Sequence, residues 1–415
     1  MELGIGISFL RMNHARAIRV PYGLSVHGQD EMDAVVSVLR GNTALGRNTE
    51  TFEAKIAKLL GKRYGVMVNS GSSANLLALE LLNLPRGTEV ITPLLTFATT
   101  VAPIVQKGLV PVFVDVEPGT YLLQVDQVER LVTKRTRALM VPSLLGNVPN
   151  YQRLMRIAKR HRLWLVEDSC DTLGARILGQ PTGKFSHIST ASFYGSHIIN
   201  GAGGGGMICV NDPAWARRLV VLRGWGRQSS LFGEKQVSEQ LRNRFRSRIS
   251  GVPYDAKFIF SEIGYNFLPL ELSAAFALVQ LNKLKRFTAM RRRNFSRLRR
   301  FFSRYEHWFM LPEQPPHTQT AWLAFPLTIR PGAPFTRLQL VTFLEQHNIQ
   351  TRPVFTGNIL KQPGFRNIPH RTRGSYPNTE HIMRNAFVVG CHHGLSGRQL
   401  TYVEQCVRQF LSRFD

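Results

Sequence analysis

Acidic residues and cysteines are scarce in this chain, and long apolar runs are missing. Among 415 residues, 27 Asp and Glu stand against 53 Lys and Arg, a formal net charge of +26. Such an imbalance suits a polyanionic partner: nucleic acid, a membrane surface or an anionic small substrate. No zinc-finger spacing and no aromatic RNA-binding signature accompanies the charge, so nucleic acid is disfavoured. The basic residues gather in Arg242–Arg248 and in Arg291–Arg304, which read as solvated helix faces. The four cysteines, Cys170, Cys209, Cys391 and Cys406, are scattered. No pair has metal-ligand or redox spacing, and a disulfide scaffold is excluded; reduced, buried thiols are expected. Runs such as Ala274–Val279 fall far short of the roughly 20 residues that span a bilayer. The start, Met1–Leu10, lacks the basic region and apolar core of a signal peptide. A cytoplasmic protein without a membrane partner is the expectation.

Hydrophobic residues make up 43% of the chain, enough for a sizeable core. From Tyr64 to Val210, short β-rich runs alternate with amphipathic stretches. The runs are Tyr64–Val68, Glu89–Thr92, Pro111–Val116, Ala138–Pro142, Trp164–Glu167, Thr190–Phe193 and Met207–Val210. Near-continuous apolar strands separated by helices predict a mainly parallel sheet covered on both faces. The last strands follow one another too closely for crossovers, so local antiparallel pairing is expected there. Leu272–Phe302 reads as one long helix. Beyond it, strands at Ala321–Ile329 and Ile349–Phe355 and helices at Arg337–Asn348, Thr379–Asn385 and Gly397–Phe414 predict a smaller α+β domain. The expected division is a large α/β domain over 1–285 and a C-terminal domain over 286–415.

Chemistry-bearing residues fall at strand ends, where α/β sheets bind ligands. Asn69–Asn75 joins a strand to a helix; its small residues allow backbone amides to approach a phosphate at a helix N-terminus. Ser and Asn also cap helices without any ligand. Phe97 follows the next strand and would stack on a flat ring, or else lie in the core. Asp168, after Leu165-Val166-Glu167, suits a protonated pyridine nitrogen as well as a helix cap. Ser192-Phe193-Tyr194-Gly195-Ser196-His197 follows, with the glycine run Gly203–Gly206, and Gly264-Tyr265-Asn266 further on.

In this order and spacing the motifs resemble the DegT/DnrJ/EryC1/StrS family of pyridoxal phosphate (PLP)-dependent sugar aminotransferases and dehydratases, from about Val20 to the end. The likeness is greatest to the NDP-4-keto-6-deoxyhexose 3-dehydrases. Gly332–Arg337, Ile349–Arg352, Phe355–Leu360 and Pro377–Thr379 extend it through the C-terminal part. The resemblance implies PLP fold type I, with a seven-stranded, mainly parallel sheet. It implies that Gly71, Ser72, Ser73 and Ser192 hold the cofactor phosphate, that Phe97 stacks on the ring, and that Asp168 pairs with its nitrogen, with Asp171 beside it. Asn266 would reach the phosphate of a neighbouring subunit, implying a homodimer. His197 falls where the family's aminotransferases carry the lysine that binds the cofactor covalently. A histidine cannot form that bond but transfers protons near neutral pH.

The implied activity is 3-deoxygenation of a nucleotide-linked 4-keto-6-deoxyhexose for a deoxysugar or surface glycan. Pyridoxamine phosphate (PMP) or PLP would be the cofactor, L-glutamate the amino donor and His197 the base, its ordinary pKa near 6.5 lying close to working pH. Three departures stand out. Ile198 replaces a second histidine, Ala202-Gly203-Gly204-Gly205 lacks an acidic residue, and Trp225-Gly226-Arg227 is not followed by the cysteines that bind a [2Fe–2S] cluster in the CDP-sugar enzyme. No iron–sulfur cluster is therefore expected. The alternatives are a sugar-nucleotide aminotransferase, with Lys184 as a displaced attachment site, and a catalytically degenerate nucleotide-sugar binder.

Overall fold

The computed structural model describes residues 18–232 and 244–414. The stretch Met1–Leu10 and Arg242 and Asn243 of the first basic run lie outside the described residues. Seven strands form the central sheet: β1 (Tyr64–Val68), β2 (Glu89–Pro93), β3 (Val110–Val114), β4 (Thr136–Pro142), β5 (Trp164–Asp168), β6 (Ile188–Ser192) and β7 (Gly206–Val210). Their order is β1-β7-β6-β5-β4-β2-β3. Only β7 runs against its neighbours, pairing antiparallel with β1 and β6. The expected mainly parallel sheet with late antiparallel pairing is found, with each strand end within two residues of its expected position.

The physical basis is burial on both faces. Strands β2 and β7 are buried throughout. The helix Gly71–Leu82 packs Ala74, Leu77, Ala78 and Leu81 onto Val66, Val90, Met140 and Ile208. The opposite face takes Tyr151, Leu154 and Ile157 of the helix Tyr151–His161 against Ile91, Leu139 and Leu165. Parallel strands covered by helices on both sides have no solvated face, so their sequences stay apolar rather than alternate.

The helix Glu271–Phe302 is continuous, so the expected division at 285/286 falls inside it. Its C-terminal half packs Phe295, Leu298, Phe301 and Phe302 into a second core, with Phe325, Leu327 and Val388. There four antiparallel strands lie in the order Phe309–Met310, Phe325–Ile329, Ala386–Val389, Thr351–Pro353. Ala386–Val389 was not anticipated: it follows the helix Pro377–Asn385 without any turn residue. The strand expected from Ala321 starts only at Phe325, because the preceding residues are bonded elsewhere. Leu323 N–H donates to Leu145 O at 2.8 Å, and the Thr320 hydroxyl donates to Gly146 O. Two helices upstream of β1, Gln29–Arg40 and Arg47–Leu60, were likewise unassigned from sequence.

Candidate active site

A cavity of about 480 Å³ opens at the C-terminal ends of the parallel strands. Pro142 from β4, Asp168 from β5 and Ser192 from β6 stand side by side on its floor, and the segment after β2 supplies Thr96, Phe97, Thr99 and Thr100. Gly71 and Ser72, which open the helix Gly71–Leu82, and His197 also line the cavity.

The helix N-terminus is built for close approach. A Cβ on Gly71 would meet Ser192 Cβ at 2.6 Å and Cys170 Sγ at 2.8 Å, and one on Gly206 would meet Ser70 O at 2.2 Å. Only hydrogen fits at these positions, so the first amides of the helix come up against the Ser192 hydroxyl. Free amides, helix dipole and hydroxyls together make an anion site. Ser73 stands apart: its amide donates to Ser70 Oγ at 3.1 Å, and its hydroxyl lies 3.0 Å from the same atom. Ser70 thus caps the helix through Ser73, and Ser73 does not line the cavity. Gly71→Ala is expected to displace Ser192, to cost about 1–3 kcal/mol of stability through overpacking, and to weaken phosphate binding. Thermal unfolding with and without PLP measures both.

Asp168 is buried and pinned. Its Oδ2 accepts from Asn75 Nδ2 at 2.8 Å and from the Thr100 hydroxyl at 2.9 Å, and its Oδ1 accepts from Cys170 N–H at 3.2 Å. The Thr190 hydroxyl in turn donates to Asn75 Oδ1 at 2.6 Å, fixing the amide's orientation. Asn75 was quoted within its motif but given no role, and Thr100 was given none. Their signal was a polar side chain at a position that must face the sheet. Asp171 lines the same cavity and accepts from Leu145 N–H at 2.9 Å. Burial first, and the neighbouring Asp168 second, push its pKa up to about 7.

Phe97 is 51% exposed, turned into the cavity and edge-on to Phe355 at 5.7 Å. It is a wall aromatic, not a core residue. His197 is half-buried in the opposite wall. Its Nδ1 lies 3.4 Å from Ser192 O and its ring 5.9 Å from that of Tyr194. Burial foremost, and the cation of Arg291 as well, lower its pKa to about 4, well below the ordinary value anticipated from sequence. The imidazole is neutral at neutral pH. With a proton on Nδ1 directed at Ser192 O, the Nε2 lone pair is available as a base.

Among the residues lining the cavity there is no lysine. Lys184 is exposed and donates to Gln180 Oε1 at 2.7 Å, outside the cavity. Asn266 is also exposed and does not contribute to its own subunit's cavity. Two lining residues, Tyr22 and Leu323, lacked any sequence signal, and Phe355, first residue of a C-terminal motif, had been given no role. The Trp225-Gly226-Arg227 turn borders a second cavity of about 300 Å³, with Ser229 and Leu231 in its wall. Among the described residues, no group of three or more His, Cys, Asp or Glu side chains is placed to hold a metal. No helix among them is long and apolar enough to cross a membrane.

A mainly parallel seven-stranded sheet, a glycine-opened helix N-terminus at Gly71, and a carboxylate and an aromatic lining one cavity fit one class: a PLP-dependent enzyme of fold type I. Within that class, the chain belongs to the DegT/DnrJ/EryC1/StrS aminotransferase family, whose model matches residues 26–408. It is 40% identical over 403 residues to a dTDP-4-dehydro-2,6-dideoxy-D-glucose 3-dehydratase of Saccharopolyspora spinosa, covering 95% of this chain and 86% of that protein. It is 36% identical over 402 residues to the lipopolysaccharide biosynthesis protein RfbH of Salmonella typhimurium, covering 94% and 91%. Among solved structures, a GDP-4-keto-6-deoxymannose-3-dehydratase with a trapped PLP-glutamate geminal diamine superposes with a TM-score of 0.82 at 28% identity, over 93% of this chain and 99% of that one.

Proposed function

We propose that the protein is a PLP/PMP-dependent 3-dehydratase of a nucleotide-linked 4-keto-6-deoxyhexose. The observation that carries this reading is His197, with its free Nε2, in the wall of a cofactor-sized cavity that has no lysine. The amide cradle at Gly71 and Ser72, with the Ser192 hydroxyl, would hold the cofactor phosphate. Phe97 would cover the ring, and Asp168 would face its nitrogen as a fixed counter-charge. When bound, the cofactor would supply an amine for the sugar ketone and a ring able to act as an electron sink. His197 Nε2 would take up the proton released next to that ring and return it to the hydroxyl leaving sugar carbon 3. Glutamate, leaving as 2-oxoglutarate, supplies the amine and the electron pair; hydrolysis then releases ammonia and a 3-deoxy ketosugar. Incubation with PLP, glutamate and a panel of NDP-4-keto-6-deoxyhexoses, read by mass spectrometry, tests the reading. A product lacking one oxygen is expected. A product in which nitrogen is retained at the ketone carbon overturns it in favour of transamination.

The cofactor is expected to be removable. Borohydride treatment of the PLP-loaded protein should leave no pyridoxyl group attached after denaturation, as mass spectrometry of the intact chain will report.

The reading extends to a homodimer and to domains over 1–285 and 286–415 that share the long helix. Asn266 is exposed beside Ile263 and Leu270, which are 97% and 63% exposed, an arrangement suited to a partner surface. Asn266→Ala is expected to weaken cofactor binding by about 1–3 kcal/mol, the cost of leaving a buried acceptor without its donor. Fluorescence titration with PLP, alongside sedimentation, measures it.

A further inference from the structure

Arg291, first of the Arg291-Arg292-Arg293 run, does not share the solvated face of its neighbours. Arg292 and Arg293 are exposed, whereas Arg291 is fully buried. No carboxylate partners it among the described residues; its charge is met by dipoles alone. Nε donates to His393 Nδ1 at 3.2 Å, and Nη1 donates to Trp322 O and Leu323 O at 3.2 and 3.1 Å. Nη2 donates to Ser196 O and His197 O at 3.5 and 3.2 Å. The acceptor role of His393 Nδ1 requires that ring to be neutral, and its stacking on Phe287 at 3.9 Å holds it in place.

One guanidinium therefore joins the long helix, the strand entry at Trp322-Leu323 and the turn that carries His197. A buried cation without a counter-charge is costly. Its retention directly beneath a cavity built for anionic ligands suggests a role in that cavity. We propose that Arg291 is a positioning residue: its planar fork fixes the Ser196-His197 backbone so that the imidazole faces the cavity. Secondary to burial, its cation also disfavours protonation of that imidazole. The assignment rests on the dehydratase reading for its purpose but not for its test. The other titratable groups facing this space are Tyr194 on the same turn, Asp168, Cys170 and Asp171 from the end of β5, and Tyr22 from the N-terminal segment.

The test is an NMR titration of protein carrying 13C-labelled histidine rings, with His197 assigned by loss of its signal in His197→Asn. In Arg291→Met, which keeps the stem and removes the charge, the His197 midpoint should rise by about half a pH unit or more. In Arg291→Lys, charge persists but the fork is lost. The midpoint should stay low while the amides of the Ser192–Gly201 turn exchange faster with solvent, and kcat should fall with little change in KM. An unshifted midpoint in a folded Arg291→Met protein overturns the electrostatic role. Arg291→Lys with parental exchange and kcat overturns the positioning role, and it decides alone if Arg291→Met does not fold. If the parental enzyme dehydrates no ketosugar, the functional reading fails, while the titration and exchange still judge Arg291.

Discussion

His197→Asn is expected to bind cofactor and nucleotide sugar as the parent does and to dehydrate about 10²–10⁴-fold more slowly, the usual cost of losing a positioned base. Asparagine occupies similar space and can keep the contact toward Ser192 O, but it offers no lone pair of comparable basicity where Nε2 stands. The pH dependence checks the same assignment. The pKa of His197 lies near 4, so the base form is fully present at neutral pH and is lost only as pH falls through that value. The rate should show no loss of this base between pH 6 and 8, where an unperturbed histidine would titrate. Single-turnover kinetics with preloaded PMP isolate the step. Parental rates in His197→Asn would assign the proton transfer elsewhere and leave the histidine a packing role. His197→Lys, which places an amine at the same wall, should capture PLP covalently and become reducible by borohydride.

Asp168→Asn should cost about 10²–10³-fold in kcat, the range for removing one preorganised electrostatic partner from a buried site. The carboxylate is held by two donors on Oδ2 and one on Oδ1, so its charge and direction are set before any ligand arrives. An asparagine there must turn its amide nitrogen either toward Asn75 Nδ2 or toward the Cys170 N–H, a donor facing a donor in each case, and it carries no counter-charge in either. Steady-state kinetics and PLP titration separate the two consequences: kcat should fall more than affinity. Equal turnover in the variant would remove Asp168 from the chemistry.

The basic surface has a divided explanation. Arg292, Arg293, Arg299 and Arg300 are exposed on the long helix, as a solvated face requires. Arg297 instead pairs with Glu404 at 2.7 Å on the C-terminal helix. Arg291 departs entirely. Consecutive residues on a helix point about 100° apart, so three adjacent arginines cannot share one environment. Composition alone does not say which of them turns inward.

The same contrast runs through the whole site. The strands were legible because burial on both faces leaves uninterrupted apolar runs, and the site's strand-end residues were legible because an α/β sheet presents those ends to a ligand. Asp168, Phe97, Ser192 and His197 follow strands in the sequence and meet around one cavity for that reason. The substitution of histidine for lysine, which carries the functional reading, is purely local and visible in the sequence. Tertiary structure alone decided the rest. Tyr22 and Leu323 reach the cavity from segments with no motif, and Phe355 from a motif that gave it no role. Ser73 is bonded to Ser70 and stands outside the cavity lining. Burial, together with a guanidinium almost 100 positions away in the chain, lowers the proton affinity of His197. These depend on packing at long sequence separation, where the environment of a side chain is set by residues that no local pattern can name.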